Sequence, residues 1–295
     1  MTSPVTVEET VDSGGVRLAV FSSGDPSAPA VLLVHGYPDT HAVWDAVAAD
    51  LAVDHHVVRY DVRGAGRSGC PAELREYRLD QLADDLFAVA GSVSPDRPVH
   101  VVGHDWGSIQ AWHAVTDPRA EGRIASFTTI SGPCLDHVGH WYRHRLARPT
   151  PRHVIDVLRQ SLRSWYIGLF HVPVIAPLLM RLVSPDAVRG IRLYRANMVT
   201  RMLRPQRRAT RIPVQLVILT RDRYLSPALV SADLDQWVPD LRRFVLAATH
   251  WSALAKQPHV LAAIIREATS PLLEPVVERD VGALAEVRGE ASFAA

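Results

Sequence analysis

The sequence predicts an α/β fold: a mostly parallel sheet flanked by helices, interrupted once by an inserted helical cap. Three observations carry this reading. Short β-branched runs alternate with longer stretches of helical spacing, the pattern of successive βαβ units. Several of the runs are apolar at nearly every residue, as strands buried on both faces should be. The alternation stops from Pro133 to about Arg211, where the chain reads as helices alone, and resumes at Pro213.

In chain order, strands are expected at Val16–Phe21, Ala30–Val34, His55–Tyr60, Val99–Val102, Ala125–Ile130, Val214–Leu219 and Arg242–Leu246. Helices are expected at Val43–Leu51, Leu79–Val93, Ser108–Thr116, Pro227–Trp237 and Pro258–Ala268. Within the helical block the spacing gives Arg152–Arg163, a Pro-interrupted stretch around Trp165–Val183, and Ser184–Met202. Residues 1–132 and 212–270 therefore form the core, 133–211 the cap, and 271–295 a weakly patterned, mobile extension. A block inserted between two strands of one sheet lies over the sheet's C-terminal edge, where open α/β sheets bind ligands.

Composition excludes some classes of function. Hydrophobic residues are 47% and charged residues 21%, which suits a globular domain, and a net charge of +1 gives no reason to expect a nucleic-acid partner. The charge is unevenly spread. From Arg143 to Arg211 there are 15 Arg, no Lys and two acids, Asp156 and Asp186, hence 15 − 2 = +13. The rest carries 32 − 15 = 17 bases and 31 − 2 = 29 acids, or −12. This Arg-rich cap reads as a solvated face, with docking on an anionic membrane surface as the alternative. Cys70 and Cys134 have the spacing of neither a disulfide framework nor a metal site and read as free thiols of a reducing cytoplasm. The first ten residues lack a signal-peptide pattern, and the apolar run Ile167–Val183 is broken by His171, Pro173, Pro177 and Arg181.

The chemistry is carried by a few short motifs. Val99–Val102, then Gly103-His104-Asp105-Trp106-Gly107 and a helix, has the strand–turn–helix context of a nucleophile elbow. Its central residue is Asp, and a carboxylate can displace a leaving group at saturated carbon to form an ester on the enzyme. His35-Gly36-Tyr37-Pro38 follows a strand, so the backbone N–H groups of Tyr37 and Trp106 can form an oxyanion hole, and His35 and Trp106 are expected to bind substrate. His250, after the last strand, is the candidate base. Asp222, after Val214–Leu219, is the candidate acid that orients it, with Asp136 as the alternative. Gly64-Ala-Gly66-Arg-Ser-Gly69 fits a dinucleotide-binding pattern, but no helix N-terminus follows to receive a pyrophosphate, so Asp61–Ser68 reads as a structural loop. His137, His140 and His144 can share a helical face. They lack further ligands for zinc and read as a solvated surface.

On His35–Pro38, Asp61–Ser68, Gly103–Gly107 and His250-Trp251, the chain resembles the α/β-hydrolase-fold epoxide hydrolases from about Val16 to Thr269. It is most similar to the hydrolase domain of the mycobacterial epoxide hydrolases fused to a short-chain dehydrogenase, sharing Trp165–Pro177 and Val99–Ser108. The resemblance implies a cofactor-independent enzyme acting on an epoxide, and the cap's long apolar stretch points to a hydrophobic one. It also implies that two cap tyrosines, Tyr166 and Tyr194, hydrogen-bond the ring oxygen. Haloalkane dehalogenases share the Asp-Trp elbow but add a halide ligand, and the position after His35-Gly36 is Tyr37 rather than Asn. A ligand-binding protein that keeps the pocket without turnover is the remaining alternative.

Overall fold

The computed structural model describes residues 6–231, 233–269 and 278–280. The core elements before the cap are β1 (Val7–Ser13), β2 (Val16–Ser23), β3 (Ala30–Val34), α1 (Asp45–Leu51), β4 (His56–Tyr60), α2 (Leu79–Val93), β5 (Val99–His104), α3 (Trp106–Val115) and β6 (Ile124–Ile130). Five helices follow without a strand: α4 (Leu135–Ala147), α5 (Pro151–Arg163), α6 (Trp165–Phe170), α7 (Ile175–Met180) and α8 (Pro185–Leu203). The core then resumes with β7 (Val214–Leu219), α9 (Pro227–Ser231), β8 (Leu241–Leu246), α10 (Ser252–Lys256), α11 (Pro258–Thr269) and β9 (Glu278–Asp280).

The strands form one sheet in the order β1-β2-β4-β3-β5-β6-β7-β8-β9. The β1–β2 and β2–β4 pairs are antiparallel, and every other pair is parallel. β3, β4 and β7 are buried at every residue, because helices cover both faces. One apolar layer joins the sheet to α2, α3 and part of the cap, and a second joins it to α1, α10 and α11. The direction of winding reverses between β3 and β5, so the C-terminal ends of these strands open a crevice.

Two of these helices, α5 and α8, start where a short polar residue precedes proline. Thr150 accepts from the His153 N–H at 3.2 Å ahead of Pro151, and Ser184 from the Ala187 N–H at 3.0 Å ahead of Pro185. Each side chain satisfies an orphan amide, and proline at the first position loses no hydrogen bond. Buried Asn197 ties α8 to the core: it donates to Tyr77 O at 2.8 Å and accepts from Leu79 N at 2.9 Å. The Tyr37 hydroxyl adds a bond to Ala187 O at 2.9 Å.

Several expectations are corrected. β1 is an additional edge strand. The helix expected over Pro227–Trp237 ends at Ser231, because Asp233 adopts φ 57° before a short 3-10 turn at Leu234–Gln236. His137 is buried rather than solvated. It stacks on Trp237 at 5.1 Å, and its Nε2 donates to Arg208 O at 2.6 Å, while His140 reaches Gln206 O at 3.1 Å. The expected extension lies outside the described residues except for Glu278–Asp280, which pair parallel to β8.

Candidate active site

At the end of β5 the chain turns so sharply that Asp105 sits at φ 52°, ψ −124° before α3 begins. A non-glycine residue held there stores on the order of 1–3 kcal/mol of strain. The flanking glycines make the turn sterically feasible. A Cβ on Gly103 would lie 2.5 Å from Ser108 Cα, and one on Gly107 would lie 2.0 Å from Val34 O. The Asp105 carboxylate is thereby presented at the crevice between β3 and β5.

Both carboxylate oxygens are engaged. Oδ1 accepts the Tyr37 backbone N–H at 2.7 Å, and Oδ2 lies 3.5 Å from His250 Nε2. The other imidazole nitrogen, Nδ1, donates to Asp222 Oδ2 at 2.9 Å. Asp222 also accepts from Ser131 Oγ at 2.8 Å and from the N–H groups of Tyr224 and Leu225 at 2.7 and 3.2 Å. Burial opposes charge on Asp222, but His250 and these donors outweigh it and hold the carboxyl below its ordinary range. Burial likewise opposes charge on His250. The hydrogen bonds and charges of Asp105 and Asp222 prevail, lifting the imidazole to about 9. At neutral pH His250 is therefore an imidazolium held between Asp105 and Asp222.

The cap supplies two phenols. Tyr166 on α6 and Tyr194 on α8 line the same two cavities as Asp105 and His250, with their rings 6.1 Å apart. Burial, and after it the negative charge of Asp105, pushes both phenols up, so each keeps its proton at neutral pH. Buried Trp106, the first residue of α3, packs edge-on against Tyr194 at 4.9 Å. One cavity, of about 600 Å³, opens past Tyr37, Trp165 and Phe170. The other, of about 70 Å³, runs inward past Ile109, Val138 and Met198. Asp105 stands where they meet.

The remaining expected residues separate from this group. His35 lines neither cavity that reaches Asp105. Its Nδ1 donates to Gly36 O at 2.8 Å and its Nε2 accepts Val62 N–H at 2.9 Å, so both nitrogens are spent on backbone and the ring braces the 61–68 loop. Within that loop Asp61 accepts from His41 N and Arg67 N at 2.9 and 2.8 Å. Asp136, the alternative acid, is buried elsewhere. It accepts Gln206 N–H at 2.8 Å and faces Arg208 at 3.5 Å.

Sequence reasoning missed three supporting groups. Ser131, at φ 49° after β6, braces Asp222. Burial pushes His104 down to about 3, so it is neutral, and its Nε2–H donates to His250 O at 2.9 Å, fixing the loop that carries His250. Asp39 accepts from Trp251 Nε1 at 2.9 Å, and burial raises its carboxyl to about 6. Only His104, beside Asp105 in the elbow motif, had a sequence signal that could have found it.

Comparisons with known proteins agree with this architecture. Residues 29–150 match the α/β hydrolase fold family. The chain is homologous to the probable oxidoreductase EphD of Mycobacterium tuberculosis, 39% identical over 289 residues, covering 87% of this chain and 48% of that protein. Epoxide hydrolase A of the same organism is 38% identical over 130 residues, 43% of this chain and 39% of that protein. The chain thus spans about half the length of the EphD relatives (48%). Among solved structures, an epoxide hydrolase from hot-environment metagenomes superposes with a TM-score of 0.74 at 20% identity, covering 91% of this chain and all of that one (100%). The Bacillus megaterium epoxide hydrolase bound to an inhibitor gives 0.69 at 20% identity, with 89% and 100% covered.

Proposed function

We propose that this chain, which has the α/β-hydrolase fold, is an epoxide hydrolase that converts a hydrophobic epoxide to a vicinal diol through an ester on Asp105. The observation that carries the reading is the convergence on one cavity of the Asp105 carboxyl, the Asp222-paired His250 and the phenols of Tyr166 and Tyr194.

In the first half-reaction an Asp105 oxygen attacks an epoxide carbon and the carbon–oxygen bond of the ring breaks. Tyr166 and Tyr194 donate hydrogen bonds to the departing oxygen and deliver a proton, which the His250 imidazolium replaces. Forming the ester removes the negative charge that had raised His250, so its proton is released more readily at this stage. In the second half-reaction neutral His250, oriented by Asp222, takes a proton from water as the oxygen attacks the ester carbonyl. The N–H groups of Tyr37 and Trp106 hold the oxyanion; its collapse breaks the ester bond to the substrate oxygen, which takes the proton of the newly added hydroxyl and leaves as the diol, regenerating the Asp105 carboxylate and the imidazolium. No net proton is consumed.

A cavity of about 600 Å³ is of a size for a small organic molecule, and its walls are mainly aromatic and aliphatic. The test is a product screen over styrene-like, fatty-acid and terpene epoxides beside a bromoalkane panel. Diol from an epoxide supports the reading, whereas halide release without any diol would establish dehalogenation.

A further inference from the structure

The cap presents apolar surface to the outside on a scale its fold does not require. Among the described residues, fifteen of the eighteen large hydrophobic side chains that are exposed lie between Leu146 and Leu203, so the imbalance belongs to one region rather than to the surface at large. Helix α5 is turned inside out. Val154, Ile155, Leu158 and Leu162, at the spacing of one helical face, are all exposed. Its one fully buried residue is Gln160, whose amide bonds Ser226 N at 3.0 Å and Tyr224 O and Ser164 Oγ at 2.9 Å. Beyond it, Val174, Ile175, Leu178 and Leu182 are exposed on and around α7. Scattered exposed leucines need no explanation, but a concentration of this kind marks an interaction surface.

The charge around it selects the partner. Arg148, Arg152, Arg159 and Arg181 are exposed in the same segments, while the only acids between Arg143 and Arg211 are part-buried and face Arg145 and Arg189. A symmetric dimer through this face would set one strongly basic cap against another. Leu162 and Trp165, 74% and 67% exposed, also line the cavity of about 600 Å³ that leads to Asp105, so that cavity opens at the apolar surface. No helix among the described residues is long and apolar enough to cross a membrane.

We infer that the α5–α7 face of the cap docks on the surface of an anionic lipid bilayer, with its leucines in the acyl boundary, its arginines at the headgroups and the cavity mouth facing the lipid. Apolar area supplies the depth of insertion, and each basic residue near an anionic surface adds a salt-sensitive attraction. The inference does not depend on which reaction Asp105 performs.

Flotation of the full chain with vesicles of phosphatidylcholine alone or mixed with phosphatidylglycerol tests it. We expect association with the anionic vesicles, weakened by salt at about 0.5 M, where the Debye length falls to a few ångströms. Leu158→Glu and Leu178→Glu, which line neither cavity, are each expected to reduce vesicle partitioning about tenfold or more, leaving turnover of a water-soluble substrate and the melting temperature unchanged. Absence of association at low salt would overturn the inference. So would association that both variants leave intact, or a stable dimer that binds no vesicles and dissociates when Leu158 is replaced.

Discussion

Asp105, Tyr166 and Tyr194 make separable chemical demands. In the proposed mechanism Asp105 supplies the attacking oxygen, so Asp105→Ala should abolish diol formation while leaving the fold intact, as checked by melting temperature and product assay. Tyr166→Phe and Tyr194→Phe should each slow ester formation by on the order of 10² or more, read as the single-turnover alkylation rate. Unchanged rates in both would mean that the ring oxygen takes its proton elsewhere. Ser131→Ala strips one donor from the buried Asp222 and should slow ester hydrolysis about tenfold, equivalent to roughly 1.4 kcal/mol, with alkylation less affected. That Asp105, His250 and Asp222 come together was legible in the sequence because motif and chain order mark them. Ser131 was not, since its role arises where the end of β6 meets the loop after β7. His35 was misread because the sequence cannot reveal that both ring nitrogens are taken by backbone.

At the scale of elements, the buried parallel strands were the most legible, because burial on both faces writes an unbroken apolar run. β3 and β7 fall at the expected bounds. β1 was missed for the complementary reason: it pairs only at the sheet edge, most of its residues are exposed, and Glu8, Glu9 and Asp12 obscure any alternation. The orientation of α5 was also hidden, since its spacing looks the same whether the apolar face turns in or out. Buried Asn197 ties α8 to the core. Asn197→Ala leaves Leu79 N and Tyr77 O without their buried partner, and should cost about 1–3 kcal/mol in chemical denaturation.

For the whole molecule, one titration couples stability to turnover. His250 is raised to about 9, so its ion-pair contribution is complete below the ordinary histidine value and is lost as pH rises through about 9. Asp222 is lowered, so its contribution holds above the ordinary carboxylate value and is lost only in stronger acid. The melting-temperature difference between the parent and His250→Gln should therefore shrink between about pH 6.5 and about pH 9. Alkylation of the free enzyme should also decline as pH rises through about 9, because the imidazolium that resupplies the tyrosines is lost. The most direct measurement is intact-protein mass spectrometry of His250→Gln after mixing with a turned-over epoxide, followed by peptide mapping. An adduct of the substrate's full mass on Asp105 is expected, persisting because no base activates water. An unmodified His250→Gln protein, alongside a parent enzyme that still makes diol, would contradict the covalent mechanism.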